Sequence, residues 1–175
     1  MDTSIRIDDR QVEIQLERLR DAVQGRGSLA AMQAVGRYGK TSTQFRFRDQ
    51  KGPDGKRWIP SEPALKRGGQ TLRRTNRLFR SLTWRATPGE ASWGTNVVYA
   101  RVHQYGIATI VKVRQHKRRE YITRPDGSRS LIMVEVLAHE RPMLMHRRPY
   151  LGFSLYDRSE IWEILREHIL EATKA

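Results

Sequence analysis

The apolar positions change period twice along the chain. Over residues 8–24, DDRQVEIQLERLRDAVQ, Val12, Leu16, Leu19 and Val23 recur at helical spacing, with Asp8 or Asp9 placed to cap. GRG at 25–27 ends that helix. Ser28 then caps a second one reaching about Arg46, with Leu29, Met32, Val35 and Phe45 as its apolar side. Gly36 and Gly39 lower its helix propensity, but small residues also allow close packing. The stretch 49–63, DQKGPDGKRWIPSEP, holds too many turn-formers for a helix, while Trp58 and Ile59 have large apolar areas to anchor, so it is predicted to be a structured loop. A short helix is expected in GGQTLRRTNRLFRSL, with Leu72, Leu78, Phe79 and Leu82 turned inward.

From there the period falls from about 3.6 to 2. SLTWRA and EASWGT alternate around TPGE, the pattern of a tight hairpin. NVVYARVHQYG returns to a helical period. TIVKVRQHKRREYI and SLIMVEVLAHE alternate again, joined by the turn sequence TRPDGSR, and predict a second, longer hairpin. Within it VRQHKR (113–118) and VLAHER (136–141) are faintly alike, which at this length is taken as chance. Asp157 or Ser159 starts a last helix with Ile161, Ile164, Leu165, His168 and Ile169 along one side.

Helices first, strands in the middle and a helix last is an α+β order: an antiparallel sheet with packed helices, N- and C-terminal helices and a long hairpin arm. At 175 residues the chain is long enough for one structural domain, 1–175. Within it a helical N-terminal region covers about 1–46, a core 47–108 and 148–175, and the arm 109–147.

Charge changes the picture more than size does. The net formal charge is +14, distributed unevenly. Residues 37–80 hold 13 Lys/Arg against 3 Asp/Glu, and residues 109–148 hold 10 against 4. The first 24 residues (4 against 6) and the last 26 (3 against 5) are acidic. Acidic ends around a basic middle fit charge-complementary contacts between copies, or an anionic polymer. Lys112, Arg114, Lys117, Arg118, Arg119, Arg124 and Arg129 lie on or near the long ribbon. A ribbon of that kind enters a DNA groove, or its charges meet the acidic terminal helices of a neighbouring copy; the second reading is favoured, since only Tyr121 offers a ring for stacking on single strands. Two strands alone are marginal in water, so the arm is expected to gain order by lying against another copy, a partner ring or DNA.

Catalytic signatures are missing. There is no Cys, no His-x-x-x-His pair and no Gly-x-Ser-x-Gly elbow, and GPDGK is followed by Arg57 where a phosphate loop needs Ser or Thr. His116 and His139 are placed to face each other across the long hairpin, but two ligands do not make a metal site. No catalytic residue, metal or cofactor is expected. Tyr99 and His103, four apart on a helix, are read as a packed ring and a histidine bonded to a neighbouring backbone group. No apolar run is long enough to cross a bilayer and no signal-peptide pattern opens the chain, so no membrane partner is expected.

Four segments coincide in order: KGPDGKRWIP, LRRTNRLFRSL, WGTNVVYARVHQYG and RRPYLGFSLYDRSEI. Together they resemble the phage virion morphogenesis, or tail-completion, family of Mu-like and related tailed phages, over roughly residues 44–165. The family pattern is matched at Pro53, Asp54, Gly55 and Trp58; at Thr75 and Leu78; at Gly94, Thr95, Asn96, Tyr99, Ala100, His103, Gln104 and Gly106; and at Arg148, Pro149, Tyr150, Leu151 and Gly152. Asn76 stands where the family has Gly, a position a left-handed backbone tolerates. The resemblance implies a structural protein of the neck or tail, with the matched residues fixing geometry. It further implies a ring of six or twelve copies at the head–tail junction, assembled in the host cytoplasm and kept in the virion. Its partners would be other neck, portal-adaptor or tail-tube proteins and the DNA passing through the lumen. A different class, a sequence-independent nucleic-acid-binding protein of packaging or replication, is the alternative that the charge supports.

Overall fold

The computed structural model describes residues 10–24 and 27–174. In chain order it contains α1 (Arg10–Val23), α2 (Gly27–Asp49), α3 (Glu62–Arg67), α4 (Arg77–Arg80), β1 (Thr83–Thr87), β2 (Glu90–Gly94) and α5 (Ala100–Tyr105). Strands β3 (Ile107–Val113), β4 (His116–Thr123), β5 (Arg129–Val136) and β6 (His139–Met145) follow, then α6 (Leu155–Lys174). The class is α+β with antiparallel pairing.

Helix α2 is the spine, with the β1–β2 hairpin laid on it and α1 and α6 packed against it. Its two glycines explain how the hairpin fits. Trp84 and Trp93 are register partners and so project from the same hairpin face. Gly36 and Gly39, three apart, present bare backbone to these two rings: a Cβ at Gly36 would lie 2.7 Å from Trp84 Cε3, and one at Gly39 would overlap the Trp93 indole. The close packing is thus between helix and hairpin. Ser28 does not cap α2, which begins at Gly27; it is buried inside the helix and its hydroxyl accepts the Gly89 N–H at the hairpin turn.

The core lies at the C-terminal end of α2. Phe47, fully buried, meets Trp58 edge-on (centroids 5.5 Å), Phe79 (6.0 Å) and Tyr150 (5.3 Å), with Leu78, Leu82 and Ala100 completing the cluster. Phe45, expected on the apolar side, is about half exposed beneath the Arg48 guanidinium; α2 runs on to Asp49, and the phase of that last turn selects Phe47. Ile59 likewise is exposed, and a short helix, Glu62–Arg67, starts at the end of the expected loop 49–63 and runs through residues for which no element was predicted. In the stretch 70–82 only Arg77–Arg80 is helical, because Leu72 and Asn76 both take left-handed backbone (φ 64° and 55°). Leu78 and Leu82 are nonetheless buried, and Leu72 and Phe79 pack on the core.

On α1, Leu16 and Val23 are exposed and Leu19 is half-buried, so the described part of that apolar face is largely uncovered. The expected caps Asp8 and Asp9, and the break at Gly25 and Arg26, lie outside the described residues. Helix α6 starts at Leu155, earlier than Asp157 or Ser159, because Ser154 caps it: the Ser154 hydroxyl accepts the Asp157 N–H (3.0 Å), and the Asp157 carboxylate accepts the Ser154 N–H (2.7 Å).

Candidate functional site

Three of the four motif segments meet at one place, the extended stretch 148–152. Gln104 on α5 holds it with its whole amide: Oε1 accepts the N–H groups of Tyr150 and Leu151 (both 3.0 Å), and Nε2 donates to the Leu151 carbonyl (2.9 Å). From the adjacent residue, the His103 carbonyl accepts the Arg148 N–H (2.7 Å). Trp58 Nε1 donates to the Pro149 carbonyl (3.0 Å), and Arg148 reaches back to donate to the Ile59 carbonyl from Nε (2.7 Å). The turn at Pro53, Asp54 and Gly55 closes with the Gly55 N–H on the Gly52 carbonyl (3.0 Å), while Asp54 Oδ1 accepts the Lys56 N–H. Its outer side packs on the same stretch: a Cβ on Gly152 would press on Pro53 Cγ at 3.0 Å.

Beneath this latch lies a buried polar cluster with little signature in the sequence. Arg46 donates to the Tyr150 carbonyl (2.8 Å) and to Asp157 (2.5 Å), and the Asp157 carboxylate also accepts from Tyr38 (3.0 Å), Ser42 and the Ser154 hydroxyl. Burial by itself would push the Asp157 carboxyl up; the Ser154 and Ser42 hydrogen bonds and the Arg46 charge overcome it and hold it at about 2. Burial, then the hydrogen bond to Asp157, raises the Tyr38 phenol. Burial and then Tyr105 push the Tyr150 phenol up to about 12. The cluster ties the C-terminal ends of α2 and of the motif stretch to the start of α6. Only the Ser154-x-x-Asp157 spacing signals any of it in the sequence.

Tyr99 and His103 meet edge-on (5.7 Å), but the imidazole does not bond backbone through Nδ1, which is buried without a hydrogen-bond partner. Burial first, then the Arg148 charge, lowers the His103 pKa. Thr95 bonds Ser81 (2.6 Å) and accepts the Val97 N–H, and Asn96 is exposed. Nothing in the structure explains a glycine at Gly94, which has open space around it. Gly106 is required: at φ 77°, a Cβ there would lie 2.9 Å from the Met145 carbonyl.

Gly106 also opens the arm. Strand β3 pairs with β6 and β4 with β5 in one continuous register, in which Val113 faces His139 and His116 faces Val136. Residues 114–115 and 137–138 interrupt the ladder. At this pinch each strand makes the same local bond, His116 Nδ1 with the Arg114 carbonyl (2.8 Å) and His139 Nδ1 with the Leu137 carbonyl (2.9 Å). The likeness of VRQHKR and VLAHER therefore has a structural counterpart, and the two histidines are offset rather than opposed. Lys112 pairs with Glu140 (3.5 Å) and Arg118 with Glu120 (3.0 Å). Arg114, Lys117, Arg119, Arg124 and Arg129 are exposed with no ion pair among the described residues. Among those residues no three His, Asp or Glu side chains gather closely enough to hold a metal.

The latch ties together three of the four motif segments, spread over about a hundred residues, and a family model matches residues 7–170. The chain belongs to the phage virion morphogenesis family. Membership assigns it a part in building the virion, as a structural or assembly component. The polar contacts of Trp58, Gln104 and Arg148 within the latch run to backbone groups of the same chain. No curated protein and no solved structure matches the chain closely enough to add to this. Among the described residues no helix is long and apolar enough to cross a membrane.

Proposed function

We propose that this virion morphogenesis protein forms a closed ring of copies, six or twelve, at the head–tail junction, where it completes the tail or joins it to the head. It works there as a structural part, with no catalytic step and no cofactor. The supporting observation is the arm: among the described residues the distal ladder β4–β5 packs substantially on no other element, yet it exposes both cations and large apolar side chains. Such a ribbon needs an outside surface, and a ring of identical copies supplies one through heterologous contacts. Other neck, portal-adaptor or tail-tube proteins would sit above and below, with DNA in the lumen. Mass measurement of the purified chain and of purified particles tests the reading. Multiples of the 20.4 kDa chain corresponding to six or twelve copies are expected, together with the chain in mature virions. A chain that is absent from virions yet needed early in infection would overturn it.

The five arm cations without ion pairs favour one other reading, sequence-independent binding of DNA in packaging or replication. It predicts an affinity for duplex that falls by orders of magnitude between about 50 and 200 mM salt. Protein that ignores duplex DNA at low salt removes it.

A further inference from the structure

The latch that buries Trp58 and Arg148 also fixes where their neighbours point. Side chains alternate in extended backbone, so burying Trp58 turns Arg57 and Ile59 outward, and burying Arg148 turns Arg147 outward. The hydrogen bonds from Trp58 to the Pro149 carbonyl (3.0 Å) and from Arg148 to the Ile59 carbonyl (2.7 Å) hold the two stretches side by side. The outward residues therefore meet. With Asp54, Lys56 and Pro149 they line an open cleft of about 290 Å³.

Lys56, Arg57 and Arg147 are exposed and make no ion pair among the described residues. Asp54 is the one carboxylate lining the cleft, and its Oδ1 accepts the Lys56 backbone N–H (3.2 Å). Three cations against one carboxylate leave the cleft at a net +2. Lys51, opposite Arg57 in an antiparallel bridge, adds a further cation on the same side, paired with Asp49 (3.2 Å). A concave surface with an excess of one sign focuses potential and draws the opposite charge. Because the latch sets the backbone beneath these cations, little ordering is left for a bound anion to impose.

We infer that this cleft, and not the arm, is where the chain holds the phosphate backbone of duplex DNA, with Lys56, Arg57 and Arg147 on phosphate oxygens and Ile59 and Pro149 against sugar. The choice of DNA as the polyanion rests on the reading above, in which DNA passes through the ring. The acidic ends of the chain fit the cleft poorly: α1 and α6 are helices, about 10–12 Å across with their side chains, and would reach into it only with a side-chain tip. A phosphodiester backbone offers successive charges to several cations at once. Contacts of this kind position a duplex without reading its sequence.

Binding of the full chain to a labelled duplex, followed by fluorescence anisotropy from about 50 to 200 mM salt, tests this. Replacing Lys56, Arg57 and Arg147 together with Gln should lower the steepness of log affinity against log salt by about three, roughly one for each phosphate contact removed, and equally for unrelated sequences. In the wild type, bound duplex should protect Lys56 from acetylation, read by mass mapping. An arm variant, Lys117→Ser with Arg119→Ser, should keep that protection. Melting curves matching wild type exclude misfolding of these exposed-site variants. An unchanged salt dependence in the cleft variant, or Lys56 left reactive while duplex is bound, would overturn the assignment. So would a wild-type chain that ignores duplex at low salt, or a cleft variant that binds duplex normally yet fails to enter particles, which would give the cleft to an acidic protein. Rings formed by a chain that fails these tests would leave the ring standing. A chain that binds duplex through the cleft, yet stays monomeric and is missing from particles, would refute the ring and leave the cleft.

Discussion

Gln104 offers the sharpest test of the latch. Replacement by Leu keeps the volume but strands three backbone groups, the N–H of Tyr150, the N–H of Leu151 and the Leu151 carbonyl, which the amide now satisfies at 3.0, 3.0 and 2.9 Å. A stranded group costs about 1–3 kcal/mol when fully buried; this site is half-buried, so the low end applies and Gln104→Leu should cost about 3 kcal/mol. Gln104→Glu separates donor from acceptor. The introduced carboxylate keeps both N–H bonds, but sets an oxygen against the Leu151 carbonyl where Nε2 now donates. Protonation restores a donor there, so the folded-state pKa of the new carboxyl is raised above its unfolded value of about 4.3. A raised acid is favourable below the unfolded pKa, and its contribution is lost as pH rises through the folded pKa. The deficit of Gln104→Glu against wild type should therefore be smaller at pH 4.5 than at pH 7.5. Urea unfolding followed by tryptophan fluorescence at both pH values reads these differences. A Leu variant within about 1 kcal/mol of wild type, or a Glu deficit that ignores pH, would show that the amide does not hold the stretch 148–152.

Three other outcomes are expected. Trp58→Ala removes a buried ring from Phe47 and a hydrogen bond from the Pro149 carbonyl, and should cost about 3–5 kcal/mol; an unchanged melting temperature would contradict its burial. The Asp157 carboxyl, held at about 2 against an ordinary 3.8, is a depressed acid, so about 2 kcal/mol of stability is present above pH 4 and lost as pH falls toward 2. The stability difference between wild type and Asp157→Asn should shrink over that window, and a difference constant from pH 6 to 2 would dismiss the ion pair with Arg46. Replacing Arg114, Lys117, Arg118 and Arg119 together with Ser should leave subunit stability within about 1 kcal/mol while reducing particle yield; normal yield, or a large loss of stability, would misplace the arm.

Local rules carried much of this fold because they act over a few residues. The TPGE turn, the return to helical period at Ala100–Tyr105 and the reversal at Gly127 are decided by backbone preferences that neighbouring residues cannot override. Asn76 belongs with them: its left-handed φ of 55° follows from the glycine position it occupies and from the ease with which Asn adopts that region. Residues that act across the chain were legible only as motif members. Gln104 stood in the pattern, but that its amide mimics a strand partner for Tyr150 and Leu151 depends on a segment 46 residues further on folding back. The choice of Phe47 over Phe45 turned on one helical turn beyond the expected end of α2, and no local signal distinguishes two phenylalanines flanking an arginine. Gly36 and Gly39 looked like weak points until two tryptophans from a hairpin some fifty residues away filled the space above them. Arg46 and Asp157 are unremarkable charges until burial removes water from both, and then each requires the other. Propensity and turn chemistry are properties of a short segment and can be read from it; pairing, burial and desolvation are properties of what a segment meets, which only the tertiary structure decides.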